Sequence, residues 1–103
     1  MSNYQIIKNA IQKRQCVTLF YNGHVRHMSP HVIGIKNSIQ QALFFQYGGT
    51  SRSGLSGDPT RNWRCIPINK ISGLSTNKDR FQTAHNHSRT QNCVDIIDAE
   101  IKY

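Results

Sequence analysis

A chain of 103 residues has room for one modest core, burying about 65% of the surface it exposes when unfolded. That excludes a two-lobed kinase, a full dinucleotide-binding fold or an eightfold β/α barrel. Thirteen Lys and Arg against five Asp and Glu give a formal charge of +8, and no acidic residue precedes Asp58, whereas Lys8, Lys13, Arg14, Arg26, Lys36 and Arg52 do; the charge points to an anionic partner.

Three widely spaced cysteines, Cys16, Cys65 and Cys93, fit neither a disulfide framework nor a paired zinc knuckle, so free thiols in a reducing, cytoplasmic compartment are expected. No apolar leader follows the N-terminus, and no run of about 18 apolar residues occurs. The chain is therefore expected to be soluble and to make no membrane contact.

Ser2 and Gln5 have the spacing of a capping box, and Ile7, Ala10 and Ile11 share a helical stripe, which predicts a short helix over about 3–14. From Cys16 the period becomes two, with Val17, Leu19 and Tyr21 on one face. Asn22-Gly23 supplies the two positive-φ positions of a type I′ hairpin turn. His24 to Met28 returns as the partner strand; Pro30 is expected to interrupt it before Val32 to Ile35 resumes. A turn at Lys36-Asn37-Ser38 leads into Ala42 to Tyr47, aromatic enough for the central strand. Residues 48–60 read as a long Gly- and Ser-rich loop. A strand over about 61–68 contains Pro67, which belongs at an edge or bulge, and Ile71 and Leu74 suggest one more short strand. Residues 76–92 read as a polar excursion and 93–103 as a terminal strand. The whole, 1–103, is a single domain: mainly β, a small, strongly bent sheet or barrel of five to six strands over about 16–75 with a short N-terminal helix.

Across about residues 4–75, the order of Ala10-Ile11-Gln12-Lys13-Arg14, Leu19-Phe20-Tyr21, Arg26 with Pro30 four residues on, and Arg64-Cys65-Ile66 followed by Lys70-Ile71 resembles the WYL-domain family. The naming tripeptide would fall at Ala42-Leu43-Phe44, so its Trp and Tyr are absent. Residues 76–103 have no counterpart. The resemblance implies an SH3-like or Sm-like barrel that recognises nucleic acid or nucleotides through a basic face, as the sensing part of bacterial transcription or defence regulators. Such regulators also carry a helix-turn-helix module, which this one-helix chain is expected to lack.

The ligand-binding residues this suggests are Tyr21, Arg26, His27, Arg52, Trp63, Arg64 and Lys70. Arg26 and Arg64 can each offer a planar fork to a phosphate; their ordinary alternative is a solvated strand position. Tyr21 can stack a base or cap the core. Trp63, between Arg61 and Arg64, matches an aromatic platform for single strands, or is simply core. Arg52 can close over an anion from the loop, and His24, His27 and His31 add charge below about pH 6.5.

No catalytic, metal or cofactor role is assigned. The Gly-rich stretch lacks the Gly-Lys-Ser/Thr ending of a nucleotide-triphosphate loop, no two cysteines lie close enough for a zinc framework, and the acids, clustered towards the end, supply no orienting group for a nucleophile. The expected function is a non-enzymatic module that binds single-stranded nucleic acid or an oligonucleotide. The alternative is a protein-interaction module that docks to a helicase, nuclease or larger transcription regulator. An open strand edge near Pro67 and the acidic run Asp95 to Glu100 also allow a homodimer.

Overall fold

The structure is a computed structural model and describes residues 1–51, 54–87 and 91–102. Helix α1, Asn3–Lys13, starts on Ser2, whose Oγ accepts from the Gln5 backbone N–H at 3.1 Å. Only this half of the expected capping box forms, because the Gln5 amide turns along the helix to donate to Asn9. Ile7, Ala10 and Ile11 are buried as the stripe predicts, and Arg14 ends the helix in the left-handed region.

Strands β1 (Val17–Tyr21), β2 (His24–Lys36), β3 (Ile39–Gly49) and β4 (Trp63–Pro67) follow as a meander, then β5 (Ser72–Thr76), which returns to pair with β1, and β6 (Ile96–Glu100) near the end. All pairings are antiparallel, the path runs β4-β3-β2-β1-β5, and β6 pairs with β2. β4 and β5, at the two ends of that path, are not paired with each other, so the sheet is not closed by hydrogen bonds. Asn22 and Gly23 both have positive φ, as a type I′ turn demands, and Asn37 and Ser38 repeat that geometry between β2 and β3.

Contrary to the sequence expectation, Pro30 does not break β2. β3 occupies one edge of β2 along most of its length, whereas the other edge is shared: β1 pairs with residues 24–28 and β6 with 32–35. Pro30 falls between these two partners. The β2–β3 register shifts between Pro30 and Val32, and this one-residue bulge keeps Met28 and Ile33, five residues apart, on the same buried face. Pro67 ends β4, an edge strand that pairs with β3 alone, as its missing N–H predicts.

One face of the sheet carries the main core, where Ile7, Ala10 and Ile11 of α1 meet Val17, Leu19, Met28, Ile33, Ala42, Phe44 and Ile66. The other face of β2, β3 and β4 is covered by residues that follow β5. Gln82 N–H donates to Ser29, Asn86 accepts from Trp63, and Gln41 donates to the Cys93 carbonyl. Cys93 is joined to Cys65 by a disulfide. The described part of the polar excursion, together with Cys93 and Val94, which precede the terminal strand β6 instead of belonging to it as expected, is thus a fitted cover in which Ala84, Cys93 and Val94 are buried.

The disulfide corrects the expectation of three free thiols. Their spacing concealed the pairing because β4 and the segment entering β6 are brought together only by the sheet. Cys16 alone is free and buried. No helix among the described residues is long and apolar enough to cross a membrane.

Candidate functional site

Arg26, on β2, pairs with Leu19 and Gly49 and points to the face that carries the core. Its side chain is buried, at 3% exposure. Nε donates to the Tyr21 carbonyl at 3.3 Å and Nη1 to Gln46 Oε1 at 3.3 Å, while the guanidinium carbon lies 5.1 Å from the centre of the Tyr21 ring. Gly49 makes the close approach possible: its φ is +81°, and a Cβ there would collide with the Val25 carbonyl and the Arg26 backbone.

No buried side-chain nitrogen or oxygen among the described residues lacks a partner. Arg26 Nη2 has no acceptor among them, so it is the atom that reaches solvent.

Gln46 is fully buried and organises this end of the sheet. Its amide nitrogen donates to the carbonyls of Gly48 and Thr50 at 3.0 and 2.9 Å, leaving only Oε1 for Arg26. It is not among the ligand-binding residues the sequence suggests, although its period-two relation to Ala42 and Phe44 in the predicted central strand places it on the core face.

Arg64 pairs with Phe44 and shares the face of Phe44 and Gln46. Half-buried, it donates to the carbonyls of Arg61 and Trp63 at 3.1 Å and more weakly to that of Gly54.

Neither arginine has a carboxylate partner; among the described residues the ion pair formed is Lys8–Asp98. Burial, and then the charge of Arg64, push the Arg26 pKa below its ordinary value, and burial does the same to Arg64. Both remain cations, because a guanidinium starts far above neutral. Two desolvated positive charges on one face of the sheet, with hydrogen bonds only to neutral groups, form a site suited to an anion.

The other sequence-predicted residues are distributed differently. Tyr21 belongs to the cluster. His27 follows Arg26 in the strand and therefore faces the opposite way, with Nδ1 3.0 Å from Thr18 Oγ1 and its ring 6.5 Å from that of Tyr47. His24 bonds Thr50 and, three residues from His27, does not share its face.

Trp63 also points away from Arg64. Its indole packs edge-on against His31 and Phe45 at 4.7 and 5.4 Å, beneath the cover segment, and its N–H is held by Asn86. Lys70 is exposed on the single 3₁₀ turn Ile68–Lys70 beyond the end of β4. Arg52 lies outside the described residues.

His31 departs from the sequence expectation of a strand histidine that gains charge. It is buried, its Nδ1–H donates to the Ser29 carbonyl at 2.9 Å, and Thr83 Oγ1 lies 3.0 Å from Nε2. Burial holds its pKa down to about 4.

No protein-family model, curated protein or solved structure matches this chain.

Proposed function

We propose that this chain is a WYL-like, SH3-like barrel module that binds single-stranded nucleic acid or an oligonucleotide without catalysing a reaction. The observation that carries the reading is Arg26: a buried guanidinium with no counter-ion, facing the charge of Arg64 and stacked on Tyr21. A protein gains little from such a desolvated cation unless an anion joins it. The barrel itself belongs to the proposal: β4 and β5 stand at opposite ends of the strand path, yet only the short turn Ile68–Lys70 and Ile71 join them, which supports a sheet curled towards closure. A cytoplasmic setting belongs to it as well. Its check is the redox state of Cys65 and Cys93 in cells, since thiols are the rule there.

The test is fluorescence anisotropy with labelled single-stranded DNA, single-stranded RNA and duplex DNA at two salt concentrations, using the wild type and the Arg26→Ala/Arg64→Ala double variant. Strand-selective binding is expected, weakening with salt by about 0.7 log units per neutralised phosphate per log unit of salt, and lost in a folded double variant. Equal affinity in the two proteins would overturn the site.

A second reading, docking to a helicase, nuclease or regulator, is favoured by β6. Among the described residues that strand pairs only with β2, and it exposes Ile96 and Ile97 at 67% and 45%. Its signature is salt-insensitive capture of a partner, abolished by Ile97→Asp rather than by loss of the arginines.

A further inference from the structure

Resting on the nucleic-acid reading above, we propose that the cluster of Arg26, Arg64 and Tyr21 takes the terminal phosphate of an oligonucleotide rather than a phosphate within a strand. Three features of the site support this choice.

The first is access. Arg26 is 97% covered, and the donor left without a partner among the described residues is Nη2. An internal phosphodiester carries a sugar on each side and must lie along a surface. A chain end carries one sugar and can direct its phosphoryl oxygens at a single exposed donor.

The second is charge. Two guanidinium groups without a carboxylate partner are matched by a terminal phosphate, which bears about −1.5 to −2 near neutral pH. A diester bears a single negative charge.

The third is the surroundings. A protein that tracks a strand internally needs a row of exposed cations with interleaved aromatic rings. Trp63, His27 and Lys70 are the other described residues that the sequence suggests for ligand binding. Trp63 and His27 lie on the opposite face from Arg64 and Arg26, and Lys70 lies past the far end of β4. The cluster is a point, and a point recognises an end.

The experiment compares one labelled single-stranded sequence in three forms: 5′-phosphorylated, 3′-phosphorylated and with hydroxyls at both ends. Each is titrated by anisotropy against the wild type, Arg64→Ala and Gln46→Glu, with circular dichroism establishing that each variant is folded. The two single variants are used because Arg26→Ala removes a buried side chain and can compromise folding.

One phosphorylated form is expected to bind at least tenfold more tightly than the hydroxyl form. Both variants are expected to erase that ratio, and inorganic pyrophosphate to compete. Equal binding of all three forms, weakened by both variants, would overturn end recognition and leave the nucleic-acid reading standing. A phosphate preference that survives in both variants would place end recognition elsewhere and overturn the assignment to this cluster. No binding of any form would remove the nucleic-acid reading and this inference with it.

Discussion

Arg26 and Gln46 meet across the β2–β3 ladder with both side chains inside the protein, the guanidinium Nη1 donating to the amide Oε1 at 3.3 Å. A neutral amide solvates the cation without cancelling its charge, so the positive potential of the guanidinium remains available to a ligand. Gln46→Glu is isosteric but supplies the missing counter-ion. Anion affinity is expected to fall tenfold or more. The substitution also replaces the donor that holds the Gly48 and Thr50 carbonyls, which costs about 1–3 kcal/mol of stability. Urea denaturation and anisotropy on the same preparation check both effects; undiminished anion binding would mean that Arg26 does not face the ligand.

His31 makes folding sensitive to acid. Its pKa is held to about 4 in the folded protein, below the ordinary 6.5, chiefly by burial. The unfolded chain therefore binds the proton first. Its contribution to stability is complete above about pH 6.5 and is lost as pH falls towards 4. A gap of this size corresponds to roughly 3 kcal/mol. Urea midpoints at pH 7.5, 5.5 and 4.5 are expected to fall steeply for the wild type and much less for His31→Gln. Parallel curves for the two proteins would exclude His31 as the cause.

The Cys65–Cys93 bridge closes a loop spanning a separation of 28 residues, and chain-entropy arithmetic gives such a crosslink about 3–4 kcal/mol. Its reduction is expected to loosen the cover over β2, β3 and β4. Trp63 lies under that cover, its N–H bonded to Asn86, and is the only tryptophan in the chain. Its emission is expected to shift to the red on reduction or in Cys93→Ser, with faster amide exchange in residues 77–87 and 91–95. Unchanged emission would show that the noncovalent contacts hold the cover by themselves.

What the sequence revealed was mostly local. The Ser2 cap, the Asn22-Gly23 turn and the edge position of Pro67 each depend on neighbouring residues and appear as read. Pro30 misled because whether a missing N–H breaks a strand depends on whether a partner faces it, and here it falls where β1 has ended and β6 has not begun. The candidate site was partly legible. Tyr21, Arg26 and Arg64 come together, whereas His27 and Trp63 turn away, as strand alternation dictates once the register is known. The partner of Cys65, the burial of His31 and the cover itself depend on contacts 28 to 53 residues apart, which no local pattern encodes.

Gly34 tests whether β6 is integral to the fold. It stands where β2 pairs with Ile97, at a register shift between Ile33 and Gly34. A methyl group there would run into the backbone carbonyl oxygen of Ile96 and the side chain of Val94. Because the nearest obstacle is backbone, no rotamer change relieves it, and β6 must move. Movement of β6 would also withdraw Ala99 and Ile101 from the core and separate Asp98 from Tyr4 and Lys8 of α1. Gly34→Ala is therefore expected to destabilise the protein by about 2–4 kcal/mol and to abolish amide protection across 96–100, while the β1–β2 hairpin, which lies on the other half of the shared edge, keeps its own. If the variant retained wild-type stability and protection, β6 would be an adjustable strand laid on a finished sheet, and Ile96 and Ile97 would be free to exchange β2 for an outside partner.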